Sequence, residues 1–425
     1  MKYKDALRLI NSRLKFGIKP GLERIRSLLD KLGNPQDNFK SVHVSGTNGK
    51  GSICAMLSSI LINCNDNLKV GAFSSPHLID ERERIKINNK KISKKFFIKY
   101  TKKFLKITNK NKIFVTEFEF ITAMAFQFFS DKRIDIAILE TGLGGRLDST
   151  NVVSKTVLCV ISEISFDHTK ILGKTLLEIA REKAGIIKNN AFVVVSPNQK
   201  PEILKIFEKK CKKLNCNFVF LENKIEINQN TCVFDKYEIF NYEDKCYKIP
   251  LLGEYQSLNL ATVLSCVDFL KKHFKISDSS VEIGLKKVRL RARFEKISVR
   301  PLIIIDGAHN LSAVKYLRLS VEKYLKNFKK IALFAAMKDK DIEKMLKEVD
   351  NLFEEIIITR VKNSRAANIE YIYKIAKNFF KKVTCCENAE EAIRIVIQKN
   401  KQACIIFGSL YLAGEVLNIF NQGLR

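Results

Sequence analysis

The sequence predicts an α/β fold in two domains, the first a mostly parallel sheet with a small antiparallel section and the second another α/β series. Three observations predict it. The 425 residues, 46% of them hydrophobic, exceed the roughly 250–300 at which a single core stops growing. From residue 40, apolar strands alternate with amphipathic helical stretches, and strands separated by helices favour a parallel sheet covered on both faces. The alternation breaks over residues 223–250 and resumes as a separate series after residue 300.

In order along the chain, SVHVS is the first strand of the series, and a helix follows from about Gly49. LKVGAF is the next strand, followed by a helix within 93–107. A helix over 117–130 precedes the strand IDIAILE (134–140). TVLCVIS, AFVVVS and FVFLE then follow with helices among them. Within 223–250, KIEINQN and CVFDKYEIF alternate polar and apolar residues with the period of two expected of antiparallel hairpins. Helices over 256–272 and 278–288 complete the first domain, and the basic, non-periodic RLRARFEKISVRP leads into the second. Its strands are LIIID, KIALFAA, EEIIITR, KVTC and ACIIFG, each with a helical stretch after it. The expected domains are therefore 1–295 and 296–425. No internal repeat or low-complexity segment is visible.

Composition narrows the function classes. No run of about 18 uncharged apolar residues is present, and MKYKDALRLINSRLKF lacks the apolar core of a signal peptide, so a cytoplasmic protein is expected. The 11 cysteines fall mostly in apolar runs, and no CxxC pair suggests zinc or a disulfide. Cys385 and Cys386 are adjacent, a poor arrangement for a mutual disulfide. The net charge of +30 invites a nucleic-acid reading. Its lysines, however, are spread over helices and turns, as on a solvated surface, and a positive field also attracts ATP and polyanionic substrates.

The clearest chemical signal is SGTNGKGS, Ser45 to Ser52, between a buried strand and the helical run ICAMLSSILI. There the backbone N–H groups of Thr47, Asn48, Gly49, Lys50 and Gly51 and a helix N-terminus can cradle phosphate. Lys50 would sit on the β- and γ-phosphates and the Ser52 hydroxyl would ligate Mg²⁺. The strict G-x4-GK-[ST] pattern is not met, since Gly51 separates Lys50 from Ser52; a plain structural turn is the competing reading. TGLGGR offers Gly142, Gly144 and Gly145 but not the glycine spacing of a dinucleotide fingerprint.

Glu140 closes the strand IDIAILE, at the carboxyl end where ligands of open α/β sheets gather, and a carboxylate there suits Mg²⁺. A strand-end glutamate is ordinarily a solvated charge; the glycine-rich turn after it favours the metal role. Four of the five histidines, His43, His77, His168 and His309, lie in or beside motif segments, although each alone could be a satisfied structural histidine. Lys183 follows Glu182 and enters the apolar stretch AGII. A surface Glu-Lys pair is the bland alternative, but burial would favour the neutral amine, which can react with CO2.

Together these motifs resemble the folylpolyglutamate synthase and dihydrofolate synthase family, a branch of the Mur-type amide ligases. The resemblance runs nearly end to end on HVSGTNGKGS, FSSPHLIDERERIKIN, TEFEFITAMAF, LETGLGGRLDSTNVV, DHTKILGKTLLEIAREKAGII, GEYQSLNLATVL, IIIDGAHN, MKDKD and GSLYLAGEV. It implies a P-loop N-terminal domain, a Rossmann-like C-terminal domain and ATP in the cleft between them. It further implies that Ser52, Ser75 and Glu140 ligate one Mg²⁺ and His168 a second, and that Lys183 is the lysine carried as a carbamate. Asn259, Arg293, Asp306 and His309 match nucleotide contacts. Gly21 and Leu22, Thr116, Glu117, Phe118 and Glu119, and Leu147, Asp148 and Ser149 match positions that meet the pterin-bearing substrate. The implied substrates are a folate or dihydropteroate and L-glutamate; a monomer with no nucleic-acid or membrane partner is expected.

Some positions depart from the family pattern. Tyr255 stands where histidine is common, Leu260 where alanine is common, Arg291 and Ala292 precede Arg293 in place of Pro-Gly, and Leu311 replaces a proline. Lys19 and Pro20 replace an acidic-Leu pair seen in some bifunctional members, which bears on the dihydropteroate activity. Two other readings compete. A peptidoglycan Mur ligase would be expected to carry a long UDP-binding segment ahead of its P-loop, which here begins by residue 46. A basic P-loop NTPase would mass basic residues and interleaved aromatics on one face, a pattern not apparent here.

Overall fold

The computed structural model describes residues 1–17, 19–220, 224–228, 231–399 and 402–423. These residues form two compact units that interleave along the chain: 1–164, 169–223 and 258–285 in the first, and 165–168, 224–257 and 286–425 in the second. The α/β class is as expected from sequence. Leu221 and Glu222 of FVFLE and the last two residues of KIEINQN lie outside the described residues.

In the first unit the strand order is Lys90–Lys91, Ile85–Ile87, Val70–Phe73, Ile136–Glu140, Lys40–Ser45, Thr156–Ile161, Phe192–Val195, Asn217–Phe220. The last six in that row pair in parallel, and the first two add an antiparallel edge. Lys40–Ser45 is central, and all of it after Lys40 is buried. It lacks the continuous apolar run usual in a doubly covered strand, because the buried Ser41, His43 and Ser45 side chains find partners in Thr156 Oγ1, Thr150 Oγ1 and Gly144 O. Its flanking partners come from distant sequence, so three strand ends, Ser45, Glu140 and Ile161, lie side by side at one edge.

The helices start where their sequences provide caps. Thr116 and Glu119 form a reciprocal capping box at the start of Glu117–Lys132, and Thr175 and Glu178 form another at Leu176–Lys183. Each satisfies backbone donors that the first helical turn leaves unpaired. Lys50–Ile62 has no polar face, and nine of its residues are buried, as expected of a helix covered on all sides.

In the second unit the order is Glu295–Val299, Leu302–Ile305, Ala403–Phe407, Lys330–Phe334, Glu355–Ile358, Val383–Cys385, parallel except for the first pair. The antiparallel strands Glu226–Ile227, Glu238–Tyr242 and Lys245–Ile249 group with this unit and not with the segment before them in sequence. The reason is packing. Val233 and Leu252 join the core formed by Phe294, Val314, Leu317 and Tyr324. The buried Glu238 carboxylate accepts from the Tyr324 hydroxyl and pairs with Lys323.

Candidate functional site

The loop after Ser45 is built for close approach. Thr47 N–H donates to Glu163 O and Ser162 N–H to Ser45 O, each at 2.7 Å, so the loop lies against the segment that follows the neighbouring strand. Gly46 and Gly49 have φ of 145° and 87°. A Cβ on Gly46 would fall 1.8 Å from Ser162 Oγ, and one on Gly49 would fall 2.3 Å from Asn259 Oδ1. Both positions therefore demand glycine for backbone conformation and for space. Asn259, distant in sequence, is thereby placed beside the loop.

Helix Lys50–Ile62 begins directly after Gly49, so its unpaired N–H groups sit at the loop as potential donors to an anion. Lys50 Nζ donates to Gly46 O and Thr47 O, both at 3.0 Å. Ser52 is 1% exposed, and its hydroxyl has no partner among the described residues. The Thr141 and Ser162 hydroxyls, one residue past the flanking strands, are likewise buried without a partner. An orphaned buried hydroxyl costs about 1–3 kcal/mol. Ser162 lies against Gly46, and Ser52 stands in the first turn of the helix that leaves the loop, so a polar ligand at the loop could supply partners to both.

Glu140 pairs in register with Val44, next to Ser45, and is buried. Its Oε2 accepts from Ser75 N–H at 3.3 Å. Lys183 is 4% exposed and donates from Nζ to Gly46 O at 2.6 Å. Ser45 Oγ donates to Gly144 O at 2.6 Å. The glycine-rich loop after Glu140 also abuts the end of helix Leu176–Lys183: Arg146 N–H donates to Glu182 O at 2.7 Å, and a Cβ on Gly145 would lie 2.8 Å from Lys183 O. The first unit thus brings Lys50, Ser52, Ser75, Glu140, Lys183 and Asn259 to one edge of its sheet.

The donors fit a hard divalent cation. The Ser52 hydroxyl and the Glu140 carboxylate offer oxygen donors, and Mg²⁺ takes one or two carboxylates, keeping its other positions for water and phosphate. Among the described residues no group of three or more His, Cys, Asp or Glu is placed to hold a metal by itself.

The segments matched to the pterin substrate also lie in the first unit. Glu119 closes its capping box on Thr116 N–H at 2.7 Å and pairs with Arg24 at 3.0 Å. Arg24 in turn donates to Lys19 O at 2.5 Å, which ties the turn carrying Gly21 and Leu22 to the start of helix Glu117–Lys132. Glu117 pairs with the buried Arg84 at 2.9 Å. The Phe118 ring packs on Phe73, and a Cβ on Gly142 would lie 2.5 Å from its Cζ. Asp148 is taken up by the loop itself: it accepts from Leu143 N–H and from the N–H and hydroxyl of Thr150. Burial pushes its carboxyl up, and those hydrogen bonds oppose the shift. Leu147 is half-buried beside it and Ser149 buried. His43 Nε2 shares a hydrogen bond with Thr150 Oγ1 at 2.8 Å. Burial, reinforced by Lys188, lowers its pKa to about 3, so the ring is neutral and structural.

His168, Arg293, Asp306 and His309 belong to the second unit. There Asp167, which sequence reasoning passed over, is the hub. It is reached by Lys340 at 2.5 Å, Asn310 at 3.1 Å, His309 at 3.4 Å and His168 at 3.9 Å. Burial pushes the Asp167 carboxyl up, but the His309 hydrogen bond and charge, with Lys340 and His168, hold it well below the carboxylate range. His168 is lowered to about 4, chiefly by burial.

Asp306 accepts from Phe294 N–H and Ala308 N–H, each at 2.8 Å, and from the Tyr255 hydroxyl at 3.2 Å. These bonds fix the backbone just after Arg293 and just before His309. Burial pushes the Tyr255 phenol up, so it remains a donor.

Thr141, Ser162, Asp167, Asn310 and Lys340 went unselected in the sequence. The available signal was position: each follows a buried strand by a few residues, but which strands are neighbours is not written locally.

Residues 44–267 match the Mur ligase middle domain, and residues 292–410 match the Mur ligase glutamate ligase domain. The chain is 34% identical over 434 residues to the dihydrofolate synthase/folylpolyglutamate synthase of Bacillus subtilis strain 168, covering 97% of this chain and 98% of that one. The folylpolyglutamate synthase of Thermotoga maritima has a similar structure, with a TM-score of 0.83 and 32% identity over 99% of this chain and 97% of that one. That of Mycobacterium tuberculosis, solved with ADP and AMPPCP, gives 0.87 and 26% over 99% of both.

Proposed function

The chain belongs to the folylpolyglutamate synthase and dihydrofolate synthase family of Mur-type ligases, and on that premise we propose how its residues divide the ATP-dependent addition of L-glutamate to a folate. The observation that carries the reading is the loop at Gly46, where two lysines, a buried strand-end carboxylate and the orphaned Ser52 hydroxyl meet the start of a helix.

In the reaction a folate carboxylate oxygen attacks the γ-phosphorus of ATP, the bond to the β-phosphate oxygen breaks, and ADP leaves. The glutamate amine then attacks the resulting acyl carbon, loses a proton, and expels phosphate. Such chemistry is governed by positioning and charge neutralisation. The N–H groups of Thr47 to Gly51 would hold the phosphates, and Lys50 would exchange its loop carbonyls for the β- and γ-phosphate oxygens. Ser52, Ser75 and Glu140 would hold one Mg²⁺ and His168 a second; the ions would supply Lewis-acid neutralisation of the transferring phosphoryl group. Asn259, Arg293, Asp306 and His309 would contact the nucleotide, and Asp306 would also hold the backbone just after Arg293.

Lys183 would carry a carbamate, formed as its neutral amine adds to CO2, and the added anion would meet the metal side of the loop. Gly21, Leu22, Thr116 to Glu119 and Leu147 to Ser149 would receive the pterin end. Residues 1–295 would serve as the ATP-binding part and 296–425 as the glutamate-ligase part, in keeping with the two domain matches.

Glutamate-dependent ADP release, measured with tetrahydrofolate and with dihydropteroate offered separately, tests the reading. Release with tetrahydrofolate is expected; release with dihydropteroate would make the enzyme bifunctional. ADP release that needs neither pterin, or that responds only to a UDP-muramyl substrate, would overturn it.

A further inference from the structure

The glycine-rich loop after Glu140 and the turn after Lys183 approach backbone to backbone. A Cβ on Gly185 would fall 2.3 Å from Arg146 Cα. Arg146 holds part of this contact through its N–H to Glu182 O at 2.7 Å and its guanidinium to the Glu182 carboxylate at 2.8 Å, and one further side chain bridges the two backbones at Gly185 itself. Asn151 Nδ2 donates to Arg146 O at 3.0 Å and to Gly185 O at 3.1 Å. Its Oδ1 accepts from Lys188 Nζ at 2.8 Å, and Lys188 also reaches the Asn151 carbonyl at 3.1 Å. Asn151 is buried.

Only a planar carboxamide offers two donors and an acceptor in one group. The Lys188 ammonium, which can only donate, fixes which end of the amide faces it and so aims both N–H bonds at the two carbonyls. An aspartate would turn lone pairs toward those carbonyls, and an alanine would leave both without a donor.

The two segments joined in this way carry Glu140 six residues before Arg146 and Lys183 two residues before Gly185, and Lys183 reaches the phosphate loop at Gly46 O. We propose that Asn151, anchored by Lys188, is a positioning residue that sets the separation of Glu140 and Lys183 and thereby the affinity of the metal site between them. The proposal rests on the ligase reading above. Asn151 touches neither nucleotide nor metal in that reading and acts only through the two backbones.

The test is Mn²⁺ binding by the full chain in the presence of a non-hydrolysable ATP analogue, followed by electron paramagnetic resonance, with the thermal midpoint and kcat measured on the same samples. Asn151→Ala is expected to weaken Mn²⁺ binding about tenfold, the usual effect of removing a group that orients a metal ligand, and kcat should fall with it. Lys188→Met keeps the amide but removes its anchor and should shift binding the same way by less. It also serves if Asn151→Ala does not fold. Folded Asn151→Ala, or failing that Lys188→Met, with unchanged Mn²⁺ affinity overturns the proposal. Glu140→Ala separates the two readings: if it abolishes Mn²⁺ binding while Asn151→Ala does not change it, only the positioning role fails. If Glu140→Ala binds Mn²⁺ normally, the metal assignment itself fails.

Discussion

Lys183 Nζ donates to the carbonyl oxygen of Gly46 at 2.6 Å, and Lys50 Nζ reaches the same oxygen at 3.0 Å. Two lysine side chains, 133 residues apart, thus converge on the first residue of the glycine-rich loop. One lies on the helix that leaves the loop, and the other ends a helix that begins after a different strand. The convergence assigns them different work. In the proposed reaction Lys50 would swing from its loop carbonyls to a phosphate, whereas Lys183 is buried and held.

Lys183→Ala is expected to lower turnover by about 10–100-fold, the range for losing a group that supports a bound metal. A short carboxylic acid added to the assay should restore part of the rate, because it supplies the anion that a carbamate would provide. Carbon-13 bicarbonate should give a carbamate resonance in the wild type that the variant lacks. Neither rescue nor resonance would reduce Lys183 to a hydrogen-bond donor to Gly46.

Ser52→Ala should separate stability from activity. The hydroxyl is buried and unpartnered, so its removal relieves a desolvation cost of about 1–3 kcal/mol. The thermal midpoint should hold or rise while glutamate-dependent ADP release is lost. A fall in midpoint comparable to the fall in activity would mean that the hydroxyl supports the fold.

Gly46→Ala should be far more damaging than Gly33→Ala. Both glycines have positive φ, but the first has Ser162 Oγ 1.8 Å from the added carbon and the second has nothing within 4 Å. Gly33→Ala should cost about 1–2 kcal/mol, the left-handed penalty alone. Gly46→Ala should exceed that in urea denaturation and lose nucleotide binding. Equal costs would show that the loop yields.

His43 gives a pH signature. Its folded pKa is lowered to about 3 by burial, against about 6.5 in an unfolded chain. Between those values the unfolded chain binds a proton that the folded ring refuses. Stability is therefore lost as pH falls through that window, by up to about 1.4 kcal/mol per pH unit. Urea denaturation of His43→Gln from about pH 7 to about pH 4.5 should show a shallower decline than the wild type, whatever its absolute stability. Parallel declines would mean that the ring is protonated in the fold.

The α/β class and most elements were legible in sequence because their causes are local. The apolar run of IDIAILE, the cap at Thr116 and the Gly-Lys loop each act within a few residues. Chain order puts the antiparallel segment 223–250 in the first domain, yet its described residues pack with the second unit. What holds them is Val233 and Leu252 against Phe294 and Tyr324, and contacts over such separations leave no periodic trace. Asp167 was overlooked for a similar reason: an aspartate in a polar turn is unremarkable until Lys340, His309 and Asn310 surround it.

By itself the sequence determined which chemistry is available: a glycine-rich bend before a helix, a carboxylate at a strand end, and the order of motifs that marks the family. Only the tertiary structure decided that Ser52, Thr141 and Ser162 would be stranded without partners, that Lys183 would reach Gly46, and that Asn151 would tie two loops together. Backbone propensity and patterning are short-range and survive in one dimension. The burial of a hydroxyl and the meeting of two lysines at one carbonyl arise only when parallel strands from distant parts of the chain are set side by side.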